Sequence, residues 1–136
     1  VLARAEGGVT LDAVGLGAEP GHRGSEQPFA GEGLTAAFRA TLPDGADVQT
    51  VFAGMNGEPI DARAWGIAAR RHHRALRPDA ALYHPVENTG DPGAALGVMM
   101  VAMAATGLSR RRVRGPCLLW ACSDGAPCGA ARISMV

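Results

Sequence analysis

The sequence predicts an α/β domain with a five-stranded mixed, mainly parallel sheet and helices on both faces. Segments with strand and helix patterns alternate in the order strand, helix, strand, helix, strand, helix, strand, strand. This alternation is typical of parallel sheets covered by helices, and the last two strands add an antiparallel hairpin. The continuous apolar run CLLWAC is typical of a central strand covered on both faces. A length of 136 residues predicts that 1–136 form a single domain.

The first half of the chain contains two predicted strands and one helix. Val9–Leu16 alternates in polarity and indicates a strand, with VLARAE at residues 1–6 as a possible hairpin arm. A segment dense in Gly, Pro and charge follows and is expected to be an irregular loop. Gly33–Leu42 has apolar residues at helical spacing, and Val48–Gly54 (VQTVFAG) has the β-branched and aromatic content of a strand.

The second half adds two helices and three strands. Asp61–Arg77 is predicted as an amphipathic helix with Asp61 as N-cap and Pro78 at its end. Gly93–Thr106 is apolar nearly all round, so we expect a helix that is buried on every side. The predicted strands are Ala81–His84, Cys117–Cys122 and an antiparallel last strand in AARISMV, residues 130–136.

Composition argues against several classes of partner. Thirteen basic and thirteen acidic residues give a net charge of zero, so there is no electrostatic reason to expect nucleic acid or an anionic membrane surface. The longest apolar run, Ala94–Thr106, is about thirteen residues, short of the roughly 18–20 that span a bilayer. The first residues lack the apolar core of a signal peptide. We therefore expect no nucleic acid, no membrane and a cytoplasmic location.

Three cysteines, Cys117, Cys122 and Cys128, lie in the last twenty residues. Their spacings of five and six differ from the paired C-x-x-C pattern of structural zinc sites, so no metal is predicted. The expectation is three unpaired thiols in a reducing compartment.

Three loops follow predicted strands and carry polar residues: MNGEP, HPVENTGDPG and SDGAPCG. In open parallel sheets, ligands bind at the carboxyl ends of the strands. Loops that share this edge would form one site.

With these loops, written as AGMNGEP, NTGDPGAALG and SDGAPCGA, nearly the whole chain resembles the carboxyl-terminal half of a thiolase-like enzyme, the superfamily of β-ketoacyl synthases. The resemblance implies an acyltransferase of fatty-acid or polyketide type. Its substrate would be a thioester of CoA or of acyl carrier protein phosphopantetheine, with no other cofactor. It also implies a partner, either the amino-terminal half with the nucleophilic Cys or a second copy in a homodimer, and a possible acyl carrier protein.

The chain departs from this family at its catalytic positions. Where the family carries a His in the first loop, this chain has Ala53 or Gly54, depending on the alignment. In the second loop, Gly90 and Gly97 fit the pattern, but Asp91 stands at the His or Asn position. An ionised Asp91 would repel a developing enolate instead of donating a hydrogen bond to it. Asp91 would then act as a base or orient a neighbouring donor, or stay protonated if buried.

The candidate residues follow from these loops. The candidate catalytic residues are Asp91, His84 and Asn56, and the candidate substrate-binding residues are Glu58, Asn88, Gly90, Ser123 and Gly125. Each has a structural alternative: Asn-Gly is a common turn signal, His84 before Pro85 suits a structural histidine, and a tight hairpin would need the same glycines. Arg110–Arg114 (RRRVR) would bind the phosphate of a carrier's pantetheine arm, bind an acidic carrier protein, or form a solvated connection.

Three functions remain open at this point. The first is an acyl-thioester-handling acyltransferase half. The second is a catalytically inactive relative that serves as a binding or assembly module. The third is an unrelated α/β ligand-binding domain, which would lack the terminal hairpin or place the three loops on different edges. The apolar strand and helix also predict that the isolated chain dimerises or is poorly soluble.

Overall fold

The computed structural model describes residues 8–136, so the possible hairpin arm at residues 1–6 lies outside the described residues. Strands and helices alternate along this part of the chain, with a 3₁₀ turn at Gly93–Ala95 before the last helix. The elements are β1 (Val9–Ala18), α1 (Glu32–Thr41), β2 (Val48–Ala53), α2 (Pro59–Arg71), β3 (Leu76–Tyr83), α3 (Val86–Thr89), α4 (Leu96–Ser109), β4 (Cys117–Cys122) and β5 (Pro127–Met135).

The five strands form one mixed sheet in the order β1-β5-β4-β2-β3. Strand β2 is parallel to β3 and to β4, whereas β5 is antiparallel to β4 and to β1. Four strands therefore run in the same direction and only β5 is reversed. The predicted α/β class with a five-stranded mixed sheet is confirmed.

One face of the sheet is covered by α1 and α2, and we call it the closed face. Its core contains the large, almost fully buried side chains of Leu34, Phe38, Val51, Leu118 and Trp120. Helix α1 packs directly on β1 because β1 has Gly15 and Gly17 beneath it. A Cβ at Gly17 would overlap the carbonyl group of Gly33 in α1.

The opposite face carries α4 alone, and we call it the open face. Helix α4 buries Met100, Ala104 and Leu108 against Phe52 and Leu119 of the sheet. Beside α4, an apolar groove of about 280 Å³ runs along β1 and β5.

Helix α4 is not buried on every side, so that prediction is wrong. Val98 is 75% exposed, and Val101 and Met103 are also exposed. The sheet supports only one side of the helix, and no other described element covers its outer surface. The apolar sequence predicted a helix that needs to be buried, but residues 8–136 cover only its sheet-facing side.

The predicted helix over residues 61–77 is too long. Helix α2 ends at Arg71, where the N–H of His72 donates to the carbonyl of Ala68, and β3 already begins at Leu76. Pro78 therefore lies within β3 and does not end the helix. Pro78 lies in the register shift between the paired residues Leu76 and Ala81 of this edge strand, and proline is tolerated at edge strands and bulges.

The prediction of three free thiols is also wrong. Cys122 and Cys128 are directly opposite each other in the β4–β5 hairpin and form a disulfide, with Cα atoms 4.1 Å apart. Cys117 is a free, buried thiol, and burial raises its pKa to about 11. The cysteine-based argument for a reducing compartment therefore fails. Among residues 8–136, every helix is too short or too polar to span a bilayer.

Candidate functional site

The loops that follow β1, β2 and β4 meet at one edge of the sheet, together with the segment that leads into α4. They enclose a cavity of about 540 Å³. This is the carboxyl-terminal edge of the parallel strands, where a ligand site was expected. Polar side chains on its wall are Glu19, His22, Arg23, Asn56, Glu58, Asp61, Asp91, Ser123 and Asp124.

Five of the eight sequence-predicted site residues line this cavity: Asn56, Glu58, Asp91, Ser123 and Gly125. The other three, His84, Asn88 and Gly90, are not among the lining residues. His84 follows β3, the edge strand, and is partly buried, whereas Asn88 and Gly90 are exposed. Because β3 lies at the edge of the sheet, the loop that follows it reaches the cavity only at its far end, with Asp91.

The turn between β2 and α2 is held by short-range hydrogen bonds. The Oδ1 atom of Asn56 accepts from the N–H of Glu58 at 3.1 Å, and the N–H of Asn56 donates to Oδ2 of Asp61 at 3.5 Å. Asn56 therefore shapes the turn, and its oxygen is committed to that role. The N-cap position of α2 is Glu58, not the predicted Asp61.

Neither candidate position for the family's first-loop histidine can hold one here. Ala53 is fully buried in the core of the closed face. At Gly54, an added Cβ would lie 2.5 Å from the carbonyl oxygen of Trp120 and 2.9 Å from Cα of Ala121. A side chain at Gly54 would require β4 to move, and at Ala53 an imidazole would have to replace a methyl group that is fully buried.

Asp91 is exposed on the rim of the cavity. Its Oδ1 accepts a hydrogen bond from the N–H of Gly93 at 2.8 Å, which closes the turn before α4. The carboxylate thus holds the loop in shape and also faces the cavity.

Sequence reasoning missed three charged residues of the site, and Arg23 and Glu19 are two of them. Arg23 forms an ion pair with Glu58, which ties the loop after β1 to the turn before α2. Glu19 is only 4% exposed, and its carboxylate accepts hydrogen bonds from the N–H groups of Gly21, Ala30 and Gly33 at 3.1–3.3 Å. Because Gly33 is in the first turn of α1, Glu19 acts as the cap of that helix. The sequence signal that could have identified Glu19 is that it is the single acidic residue in the loop segment GAEPGHR.

Asp61 is the third missed residue, and its pKa is raised. Burial is the main cause, and the nearby charges of Asp124 and Asp91 add to it. The hydrogen bond from Asn56 and the charge of Arg23 act in the opposite direction. Asp61 therefore keeps its proton to a higher pH than an ordinary aspartate, which is a property of many catalytic carboxyl groups.

The wall of the cavity carries more negative than positive charge. Its carboxyl groups are Glu19, Glu58, Asp61, Asp91 and Asp124, against Arg23, which is already paired with Glu58. Within residues 8–136, no group of three or more His, Cys, Asp or Glu side chains is arranged to hold a metal ion. The disulfide Cys122–Cys128 also forms part of this wall.

The arginine-rich run Arg110–Arg114 lies at the opposite edge of the sheet. Thr50, near the start of β2, donates its hydroxyl hydrogen to the carbonyl of Arg114 at 2.7 Å. Helix α4, with 14 residues, separates this run from the cavity by about 21 Å. A direct role for these arginines at the cavity is therefore excluded, and they form an exposed connection.

Comparisons of the chain with protein-family models, with curated proteins and with solved structures gave no match.

Proposed function

We propose that this chain is a thiolase-like half-domain, related to β-ketoacyl synthases, whose strand-end cavity handles an acyl thioester. The observation that carries the proposal is the convergence of three loops on one cavity. These are the loop after β2, the segment before α4 and the turn after β4. Loops at these three places line the active site in the family that the sequence resembles.

The sheet also supports this proposal over an unrelated α/β domain. That alternative required either a missing terminal hairpin or site loops on different edges. Strands β4 and β5 form the hairpin, and the loops share one edge. The apolar part of the wall, which would face an acyl chain, consists of Leu16, Phe29, Leu34, Ile60, Ala64 and Leu96.

Carboxyl groups would replace the family's histidines. A protonated carboxyl group donates one hydrogen bond, and Asp61 holds its proton more readily than usual. In this proposal the protonated form of Asp61 donates to the carbonyl oxygen of the thioester, where negative charge develops during acyl transfer. Asp91, on the exposed rim, acts as the base.

The nucleophile must come from a partner under this proposal, either an amino-terminal half or a second copy. The open face offers a surface for it, because Val14, Leu16 and Val98 are each at least 60% exposed. Burying such side chains against a partner would stabilise the complex by about 25 cal/mol per Å² of apolar surface. An acyl carrier protein that presents the substrate is a second possible partner.

The second candidate function is an inactive binding or assembly module. The observation that favours it is the lack of space for a side chain at Gly54 and the burial of Ala53. If Asp91→Ala and Asn56→Ala, made in the complete parent protein, leave its activity unchanged, this candidate replaces the acyltransferase.

Binding can be tested by an NMR titration of the isotope-labelled chain with an S-acyl pantetheine, which is an uncharged thioester. We expect saturable shifts in residues 54–61, 91–97 and 123–128. Asp61→Asn keeps the shape of the carboxyl group and should weaken binding several-fold, because an amide N–H is a weaker hydrogen-bond donor to the thioester carbonyl than a carboxylic acid O–H. Asp79→Asn, on the exposed edge strand β3, is the matched control and should bind like the unmodified chain. Shifts that are absent, or confined to the groove of the open face, would overturn the proposal.

A further inference from the structure

The disulfide Cys122–Cys128 lies in the wall of the cavity, at the base of the β4–β5 hairpin. It closes the turn that carries Ser123, Asp124 and Gly125. Both cysteines contact the core of the closed face but differ in exposure: Cys122 is partly exposed and packs against this core, whereas Cys128 is only 4% exposed and lies within it.

A disulfide that borders a cavity is open to attack by a thiolate that enters it. We propose that Cys122–Cys128 is an exchangeable disulfide and that the cavity captures a small thiol on Cys122 as a mixed disulfide. The entering thiolate sulfur forms a bond with Sγ of Cys122, and the Cys122–Cys128 bond breaks. Its electron pair leaves with Cys128, which takes a proton from water. The entering thiol is oxidised and Cys128 is reduced.

A second molecule of the same thiol completes the exchange. Its thiolate attacks the sulfur of the captured thiol and forms the small disulfide, and the electron pair leaves with Cys122, which is then protonated. Both cysteines end as thiols, and two small thiols have become one disulfide. This reaction requires no acyl donor, so the inference does not rest on the acyl-thioester proposal.

Cys122 is the sulfur that the entering thiolate can reach. Attack requires an approach in line with the S–S bond from the side of the attacked sulfur, and Cys128 has the closed-face core around it. Cys117 stays outside the reaction because it is buried and its pKa is raised to about 11, so almost none of it is a thiolate at neutral pH.

The charges of the cavity select the thiol. Asp91 and Asp124 line the same wall, and Arg23 is neutralised by Glu58. A thiolate that also carries an ammonium group is neutral overall and enters this field without repulsion. A simple thiolate is repelled, and a thiolate with a sulfonate group is repelled more. The preferred ligands are therefore small thiols that carry an ammonium group.

The oxidised chain is treated separately with cysteamine, 2-mercaptoethanol and 2-mercaptoethanesulfonate, then quenched with acid and analysed by peptide mass spectrometry. Each rate is divided by the rate of the same thiol with a small uncharged disulfide, which corrects for thiol reactivity. We expect adducts on Cys122 and a corrected rate roughly tenfold higher for cysteamine than for the sulfonate. The ratio of the corrected cysteamine rate to the corrected sulfonate rate should approach one in the double variant Asp91→Asn, Asp124→Asn and at high salt.

Two single-cysteine variants test the choice of sulfur without relying on the disulfide. In a Cys117→Ser background, Cys128→Ser leaves Cys122 as the remaining thiol, and Cys122→Ser leaves Cys128. Treated with cystamine, Cys122 should form its mixed disulfide at least about tenfold faster than Cys128, since access governs the rate of exchange. The inference is overturned if the native disulfide reacts only after unfolding, if adducts form on Cys128, or if the three thiols show no dependence on charge.

Discussion

Both faces of the sheet carry buried apolar side chains, but the helices cover the two faces to different extents. On the closed face, α1 and α2 cover the strands, and Phe38 and Trp120 are almost fully buried. On the open face, α4 stands alone beside an apolar groove, and Val98 projects into solvent. The closed face is a covered core, whereas on the open face apolar side chains such as Val98 are left uncovered by the described residues.

The largest expected effect comes from the contact between α1 and β1 on the closed face. Gly17→Ala places a methyl group against the carbonyl of Gly33, so α1 must move away from the sheet. We expect a loss of about 3 kcal/mol in the free energy of unfolding, measured in urea. The matched control is Gly97→Ala in α4, where a Cβ meets no described atom within 4 Å. It should stabilise the chain by about 0.5–1 kcal/mol. Equal changes in the free energy of unfolding for Gly17→Ala and Gly97→Ala would contradict the conclusion that the closed face is tightly packed and the open face is not.

A second comparison stays within α4. Met100 is 1% exposed and packs on the sheet, whereas Val98 is 75% exposed on the same helix. Met100→Ala should cost about 3 kcal/mol because it leaves a cavity, and Val98→Ala should cost less than about 0.5 kcal/mol. Urea unfolding at low protein concentration measures both. A large cost for Val98→Ala under these conditions would mean that the outer surface of α4 is covered within the monomer.

The smallest effect concerns Asp61 at the cavity end of α2. Burial raises its pKa above the ordinary value near 4, so the folded chain holds this proton more tightly than the unfolded chain does. Ionisation of Asp61 therefore lowers stability as pH rises through its folded-state pKa, and the penalty is absent at lower pH. Asp61→Asn should raise Tm by about 2 °C at pH 7, and the gain should disappear below about pH 4.

Asp79 is the control for this pH dependence, because its pKa is shifted in the opposite direction. The pKa of Asp79 is lowered by its hydrogen bond and charge interaction with Arg77. Its small stabilising contribution is present at neutral pH and is lost as pH falls through its folded-state pKa. Asp79→Asn should therefore lower Tm slightly at pH 7 and change nothing in acid. A gain in Tm for both variants would show that removal of any carboxylate stabilises the chain through net charge alone.

Periodicity in the sequence was sufficient to predict the α/β class and most elements. The apolar run Cys117–Cys122 and the alternating segment at Val9 are strands with nearly the predicted bounds. The error at Leu76 arose because an edge strand next to a helix continued the helical spacing of apolar residues. Periodicity also could not show that α4 is covered on one side only. Apolar residues indicate that a surface favours burial, but they do not show whether the same chain or another protein covers that surface.

Site residues that lie at the ends of strands were predicted from the sequence. Site residues that are positioned by contacts with distant parts of the chain were missed. Asn56, Asp91 and Ser123 follow strands or precede a helix, so their places could be read from the element order. Glu19 and Arg23 act through partners 14 and 35 residues further along the chain, and such pairings depend on the folded topology. The Cys122–Cys128 pair follows from the register of the β4–β5 hairpin, which the sequence pattern alone did not define.

The most direct test of the central claim is whether the cavity recognises the thioester group itself. Isothermal titration calorimetry should compare an S-acyl pantetheine with the S-alkyl pantetheine of the same chain length, which lacks only the carbonyl oxygen. If loops 54–58, 91–97 and 123–128 form a thioester site, the acyl compound should bind roughly tenfold more tightly, the effect of one well-placed hydrogen bond. In Asp61→Asn that preference should be largely lost. Equal affinity for the two compounds, or no saturable binding of either, would contradict the proposal that this half-domain handles acyl thioesters.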